Sequence, residues 1–178
     1  MRVIAGKYKG RRLKAPTWDG LRPTSDKLRE TLFNILAPRI AGARLLDGYA
    51  GTGAIGIEAL SRGAAHVTFV EKNRRATALI AENLRVCGVE ADYTIHCGDV
   101  PSVLRRFDQD AKFDLVVLDP PYELPEFSTA LEAAVSRLAG DGLLILERAT
   151  RRDPDVPPLL RRVRDVTSGD STLTFFER

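Results

Sequence analysis

The chain has 178 residues, with 27 Lys and Arg against 24 Asp and Glu, a formal net charge of +3. It is 44% hydrophobic, so it can bury a full core, and its length suits one domain with a short appendage. Two cysteines cannot make a tetrahedral metal site, and only two histidines are available to help. No signal peptide, lipidation motif or long apolar run appears in the sequence. These features exclude a membrane-spanning class, and we expect a soluble cytoplasmic protein without a metal.

The positive charge is concentrated at the N-terminal end. Residues 1–39 hold ten basic and three acidic residues, and the remainder is mildly acidic. Residues 1–14 contain no acid, and their basic residues are Arg2, Lys7, Lys9, Arg11, Arg12 and Lys14. A local basic cluster favours a polyanion partner, in which phosphate contacts supply affinity and little sequence information. The alternative is a solvated face that only aids solubility.

Residues 1–16 are expected to form a basic β-hairpin that stands apart from a second unit over residues 17–178. Gly6 and Gly10 flank Lys-Tyr-Lys, which predicts the turn of the hairpin. Tyr8 lies at the tip between two lysines. Its ring can either stack on a nucleobase or pack on the body of the protein.

After a loop, the chain is expected to enter a helix near Pro23, with Thr24 or Ser25 as the N-cap, and to leave it at Pro38. Beyond this helix, apolar runs alternate with helical segments. The expected strands are 45–47, 66–71, 93–97, 113–118, 143–147, 159–166 and 172–177. The expected helices are 54–62, 74–86, 103–107 and 129–138, the last one stopped by Gly140 and Gly142. This order predicts an α/β fold: a seven-stranded, mainly parallel sheet with helices on both faces and an antiparallel pair at one edge.

A glycine-rich turn follows the first apolar run of that pattern. The run ends in Asp47, and a helix is expected to begin at Ala54. Gly51-Thr-Gly-Ala-Ile-Gly56 matches the dinucleotide fingerprint, and Glu71 stands 20 positions after the first glycine. Taken alone, this match would indicate NAD.

The charge at the turn favours a different ligand. The Asp47 carboxylate would repel a pyrophosphate placed on the turn, whereas it attracts the sulfonium and α-ammonium of S-adenosylmethionine (SAM). Glu71 can accept both ribose hydroxyls, and Asp99 can accept the adenine amino group or cap the helix that follows it. SAM is favoured over NAD and over an ordinary turn that binds nothing. The expected cofactor residues are Asp47, Tyr49, Ala50, Gly51, Thr52, Gly53, Glu71, Lys72, Asp99 and Val100.

A second motif, Asp119-Pro120-Pro121-Tyr122, follows a strongly apolar strand. Its prolines stiffen the backbone and remove two N–H donors, which leaves the Pro120 carbonyl and the Asp119 carboxylate as acceptors directed at one point. These acceptors can hold both hydrogens of an exocyclic amino group and turn its lone pair toward an electrophile, while Tyr122 stacks on the base. The motif predicts methyl transfer by positioning on an unpaired or flipped base. A rigid loop without a catalytic role is the alternative.

The two motifs together resemble the class I SAM-dependent methyltransferases that act on amino nitrogens. More narrowly, Arg-Val-Ile-Ala-Gly-x-x-x-Gly-Arg-x-Leu at 2–13 and the stretches at 22–36 and 56–64 resemble the RsmD family, which methylates guanine N2 in small-subunit ribosomal RNA. The resemblance covers nearly the whole chain. It implies a Rossmann-like fold, SAM as cofactor, ribosomal RNA or the small ribosomal subunit as partner, and a monomer. It also implies that the stretch Arg22 to Thr24 lies near SAM. The RNA contacts expected from the basic end are Arg2, Lys7, Tyr8, Lys9, Arg11, Arg12 and Arg22.

Two other functions are compatible with the same motifs. An enzyme with this tetrapeptide can methylate an adenine N6 or a protein glutamine, because both present a flat amino group. A protein of another class, a non-catalytic RNA-binding protein, can retain the fold as a scaffold.

Overall fold

One seven-stranded sheet forms the centre of the computed structural model, which describes residues 1–18, 25–121 and 127–178. The strand order is β3-β2-β1-β4-β5-β7-β6; β1 to β5 are parallel, and β7 is antiparallel to both β5 and β6. The strands are β1 (Arg44–Gly48), β2 (His66–Glu71), β3 (Tyr93–Cys97), β4 (Phe113–Leu118), β5 (Leu138–Ala149), β6 (Arg161–Ser168) and β7 (Ser171–Glu177). The helices are α1 (Asp26–Ile40), α2 (Ala54–Ser61), α3 (Arg74–Val86), α4 (Val100–Arg105) and α5 (Ser128–Val135). The predicted fold class is confirmed.

Helices cover both faces of the sheet. Buried side chains of α1, α2 and α3 form one core cluster with residues from the N-terminal segment, including Leu36, Ile57 and Ile80. Those of α4 and α5 form a second cluster on the opposite face, around Leu104 and Leu131. Strands buried on both sides explain why the apolar runs of β1 and β4 show no alternation. In the part of the chain that the structure describes, no helix has both the length and the apolar character needed to cross a membrane.

Several element boundaries differ from the sequence prediction. Helix α4 spans Val100–Arg105 instead of 103–107, and β6 spans Arg161–Ser168 instead of 159–166. Helix α1 continues through Pro38 to Ile40, because buried Ile40 holds the last turn against the core although the proline ring removes one N–H donor. Helix α5 ends at Val135, and β5 begins at Leu138. Gly140 lies inside β5, where the register with β4 shifts, so it belongs to a bulge and does not stop a helix.

The N-terminal segment folds back on itself and packs against the body. Arg2 and Arg12 form a single antiparallel bridge, with the turn between Gly6 and Gly10. The carboxylate of Glu58, fully buried in α2, accepts the N–H groups of Ile4 at 2.7 Å and of the next residue at 3.0 Å. The segment therefore does not stand apart as predicted. A carboxylate fully buried in the body fixes its backbone.

The glycines of α2 and its turn serve packing as well as turn geometry. Gly53 caps α2 with φ +78°, a backbone angle that favours glycine. Gly56 faces the sheet, and a Cβ built there would lie 2.6 Å from Phe69 Cζ and 2.7 Å from Val67 Cγ1. The last glycine of the fingerprint thus allows close approach between helix and strand.

We predict that Gly56→Ala destabilises the protein by about 1–3 kcal/mol, because the added methyl overlaps Phe69 and Val67. In an unhindered helix the same substitution would stabilise by up to about 1 kcal/mol, so the sign of the effect is diagnostic. Urea unfolding of both proteins measures the difference. Gly140→Ala is the control, because a Cβ there meets nothing within 4 Å. A Gly56 variant as stable as the wild type would contradict the close packing.

Candidate active site at the carboxyl ends of the parallel strands

Strand β1 lies at the point where the sheet reverses its strand order. From β1 the chain runs to β2 and β3 on one side, then crosses to β4 and β5 on the other. In open α/β sheets such a switch point opens a crevice at the carboxyl ends of the strands, where ligands bind. The turn after β1, residues 49–53, lies at this crevice between the ends of β2 and β4.

Two carboxylates hold the glycine turn and the start of α2. Glu71, at the end of β2, accepts the Gly51 N–H at 2.9 Å with one oxygen and the Asn73 N–H at 2.7 Å with the other. Asp47, at the end of β1, accepts the Gly56 N–H at 2.8 Å. Neither carboxylate was predicted to have this role. Both carboxylates accept hydrogen bonds from backbone N–H groups of the site itself.

Asp47 is the most deeply buried acid of the site. Only 1% of its surface is exposed. Burial raises its pKa well above the usual range, the Gly56 N–H lowers it, and the charges of Asp119 and Glu71 raise it further. These interactions show that acids from three neighbouring strands lie close together.

Asp99 meets the same turn from the side of β3. Its carboxylate caps α4 by accepting the Ser102 N–H at 3.0 Å, and this bond lowers its pKa. Tyr49 in the turn has φ +63°, and burial together with the Asp99 charge raises the pKa of its phenol to about 12. The helix-cap role is therefore present, and the exposed carboxylate of Asp99 remains ionised beside the turn.

Asp119 and its prolines meet the turn from the side of β4. The Asp119 N–H donates to the Gly48 carbonyl at 3.2 Å, which fixes the start of the motif against the end of β1. Asp119 is half-buried, Pro120 is buried and Pro121 is exposed. Tyr122 lies outside the described residues, as do Arg22 and Thr24.

The other predicted cofactor residues divide between the turn and the core. The Ala50 N–H donates to the Val70 carbonyl at 3.1 Å, and Thr52 is buried with its hydroxyl 3.8 Å from the Met1 sulfur. Lys72 is exposed, whereas the side chain of Val100 packs into the core cluster of α4 and α5. Any contact of Val100 with a ligand must therefore come from its backbone.

Asp47, Glu71, Asp99 and Asp119 form an acidic rim around the glycine turn. Sequence reasoning missed Glu147 as a further member of this rim. It is 5% exposed and follows Leu146, which pairs with Leu118 in the parallel ladder, so Glu147 stands next to Asp119 in register. The signal was available, since Glu147 ends an apolar run as Asp47 and Glu71 do. The prediction treated it only as the end of a buried strand.

The basic end lies beside the glycine turn. Asn83 of α3 bridges the two: its amide group donates to the Thr52 carbonyl at 2.9 Å and to the Lys14 carbonyl at 3.2 Å, and its oxygen accepts the Lys14 N–H at 2.8 Å. Arg11 donates to the Cys87 carbonyl, and Lys14 pairs with Glu82. The exposed basic side chains of this segment are Arg2, Lys7, Lys9, Arg11, Arg12 and Lys14.

Tyr8 does not offer its ring to a base. Only 8% of its surface is exposed, and it belongs to the core cluster beneath α2. The Lys7 ammonium and the Arg11 guanidinium lie 5.3 Å and 5.4 Å from the centre of its ring. Of the two alternatives, packing on the body is the one that the structure shows, because the hairpin turn lies against α2.

The charges of the rim fit a cation better than an anion. The N–H groups of Gly51 and Gly56, which a pyrophosphate would require, already donate to carboxylates. An additional anionic ligand would face Asp47, Glu71 and Asp119. A positively charged ligand that presents hydroxyls and amino hydrogens fits this set of acceptors. SAM meets this requirement, whereas the pyrophosphate of NAD adds negative charge.

The sheet order, the glycine turn and the acidic rim define a Rossmann-like methyltransferase fold. The family model described as Conserved hypothetical protein 95 matches residues 1–177. Ribosomal RNA small subunit methyltransferase D of Haemophilus influenzae is 35% identical, over 95% of this chain and 89% of the relative. The enzyme of the same name from Escherichia coli is 33% identical, over 100% of this chain and 90% of the relative. The chain belongs to this family, the RsmD family.

The structural comparison agrees over the whole length of the chain. The solved structure of yhhF from Escherichia coli superposes with a TM-score of 0.87 at 33% identity, covering 100% of this chain and 97% of that one. The resemblance predicted from three sequence stretches is therefore confirmed.

Asp47→Asn tests the burial of the rim acid. Because the native pKa of Asp47 is raised, the native state binds more protons than the unfolded chain between about pH 4 and the native pKa. The wild type therefore loses unfolding free energy as pH rises through this window, and the loss is complete above the native pKa. The asparagine oxygen still accepts the Gly56 N–H, so the variant should gain stability relative to wild type as pH rises.

Urea unfolding of both proteins at several pH values measures this difference, with Asp110→Asn as the exposed control. A variant whose stability relative to wild type stays constant with pH would contradict a raised pKa at Asp47.

Proposed function

We propose that this protein uses SAM to methylate the exocyclic N2 of a guanine in small-subunit ribosomal RNA, in the cytoplasm. The observation that carries the proposal is the position of the Asp119-Pro120-Pro121 rim against the end of β1, beside a glycine turn enclosed by carboxylates. Two relatives at 33–35% identity are named ribosomal RNA small subunit methyltransferase D, which supports the substrate class.

The turn and three rim acids are the proposed cofactor site. SAM supplies a methyl group carried on a positively charged sulfur. Glu71 offers its remaining lone pairs to ribose hydroxyls, and ionised Asp99 accepts an amino group. Asp47 touches the ligand little, since it is buried, but its charge favours a cation at the turn. Thr24 is proposed to complete this site.

The Asp119 motif is the proposed site of methyl acceptance. The Asp119 carboxylate and the Pro120 carbonyl accept the two hydrogens of the amino group and turn its lone pair toward the methyl donor. Pro121 keeps the backbone stiff, and Tyr122 is proposed to fix the plane of the base. These residues act by positioning the amino group, and no covalent intermediate with the protein is formed.

RNA is proposed to contact the exposed basic side chains of the N-terminal segment and Arg22. The segment lies beside the turn, since Met1 contacts Thr52 and Asn83 joins Lys14 to the same residue. Phosphate contacts there would place the RNA next to the rim without reading its sequence. Tyr8 is excluded from these contacts because its ring is buried.

A methyl-transfer assay on ribosomal RNA, small subunits, DNA and protein, followed by nucleoside analysis, tests the proposal. N2-methylguanine in small-subunit RNA is the expected product. N6-methyladenine or methylglutamine as the product would reject guanine as the target. Calorimetry with SAM separates an enzyme from a scaffold, because a non-catalytic RNA-binding protein should show no binding heat.

We predict that Asp119→Ala lowers the rate of methyl transfer by at least roughly a hundredfold, because a positioned catalytic group is lost. SAM affinity, measured by calorimetry, should change little. Asp110→Ala is the matched control, since this exposed acid precedes β4 at the opposite edge of the sheet. Near-normal turnover in the Asp119 variant would rule out its proposed role.

We predict that the double variant Lys9→Gln/Arg12→Gln weakens RNA binding and lowers the slope of log affinity against log salt by about 1 to 2. Both side chains are exposed, so the substitutions leave the buried contacts of the segment intact. The control is Arg39→Gln/Lys112→Gln, because these cations bond to carbonyls of Asp141 and Ser136 elsewhere on the surface. Equal slopes for both double variants would show that the segment makes no phosphate contact.

A further inference from the structure

Glu147 follows Leu146 of β5 as Asp119 follows Leu118, the last residue of β4. Val117 pairs with Ile145 and Leu118 with Leu146, so the next residues along, Asp119 and Glu147, are neighbours. Adjacent strands are about 4.8 Å apart. Val117 and Ile145 belong to the core cluster that contains the buried side chains of α1, α2 and α3, and the alternation of the strands places Asp119 and Glu147, two residues further on, on that same face. The register thus places Glu147 beside Asp119 of the proposed methyl-acceptor site.

The amino groups of possible substrates differ in what stands beside them. The N2 amine of guanine has the N1–H donor on one side. The amines of adenine and cytosine stand beside an unprotonated ring nitrogen, and in cytosine a C–H lies on the other side of the amine. The amino group of glutamine stands beside a carbonyl oxygen. A carboxylate next to the group that holds the amine therefore accepts a hydrogen bond from the N1–H of guanine. The same carboxylate repels the lone pair of the ring nitrogen in adenine or cytosine, or of the carbonyl oxygen in glutamine.

We propose that Glu147 accepts the N1–H of the target guanine and so selects guanine as the base that is methylated. This assignment rests on the proposed function and deepens it. Asp119 and Pro120 hold the hydrogens of the amine, and Glu147 reads the adjacent ring position. Glu147 is 5% exposed, and at such a buried position a base that donates to the carboxylate gains a charge-assisted hydrogen bond, whereas a base that presents a lone pair there is repelled.

The test removes the N1 hydrogen of the base, together with O6, and one charge of the protein. The target guanine, once mapped by nucleoside analysis, is exchanged in the RNA for 2-aminopurine, which keeps the N2 amine but has an unprotonated N1. The wild type should prefer guanine by at least about a hundredfold in kcat/KM. Glu147→Gln offers an amide N–H to the N1 lone pair, so the guanine-to-2-aminopurine ratio should fall by at least about tenfold.

The guanine-to-2-aminopurine ratio isolates the contact between Glu147 and N1. The loss of O6 in 2-aminopurine affects the wild type and the Glu147→Gln variant alike, so it cancels when their ratios are compared. Glu177→Gln is the matched control: it removes an equal charge from the end of β7, where Glu177 pairs with Arg161. Its ratio should equal that of the wild type. A purely structural Glu147 would lower kcat/KM for both bases equally, and an unchanged ratio would overturn the assignment.

The assignment stays testable if the Glu147 variant does not fold. Wild-type protein that methylates guanine and 2-aminopurine equally well would overturn it, because no carboxylate would then read N1. If the wild type forms N2-methylguanine but the Glu147→Gln variant has the same guanine-to-2-aminopurine ratio, only the role of Glu147 is refuted and the proposed function stands. A wild type that forms no N2-methylguanine refutes the proposed function and this assignment together.

Discussion

The structure depends on two carboxylates that bond to the backbone of the glycine turn and of the helix after it. Glu71 holds the Gly51 N–H, and Asp47 holds the Gly56 N–H from beneath the start of α2. Burial of these acids is unfavourable by itself, and the raised pKa of Asp47 is its signature. The same arrangement makes the crevice negative, so the interaction that shapes the turn also determines which ligand charge it accepts.

The basic segment and the turn are joined by buried polar side chains. Glu58 binds the first part of the segment, and Asn83 links its end at Lys14 to the Thr52 carbonyl. Fully buried polar groups of this kind are stable only when their partners are in place. The proposed RNA contacts and the proposed cofactor turn are therefore held together through shared hydrogen bonds, and neither is a mobile appendage of the other.

The order and register of the central strands place the proposed contacts to the methyl donor and to the methylated base on opposite sides of β1. Asp119 and Glu147 follow the paired residues Leu118 of β4 and Leu146 of β5, whereas Glu71 and Asp99 lie on the other side of β1. Acceptors for the donor molecule and for the methylated base thus come from opposite halves of one sheet. The crossover between β3 and β4 is what places β1 between the two halves.

The sequence by itself determined the local features. Helix α3 and strands β2 and β4 have the predicted boundaries because their periodic patterns are uninterrupted. Asp47, Glu71, Asp99 and Asp119 were found because each ends or follows a predicted strand. Tertiary structure decided the features that depend on distant partners. Buried Ile40 holds α1 beyond Pro38, and the ring of Tyr8 is buried in the core cluster. Strand register made Glu147 a neighbour of Asp119, because hydrogen bonds between strands far apart in the chain fix a pairing that no local pattern encodes.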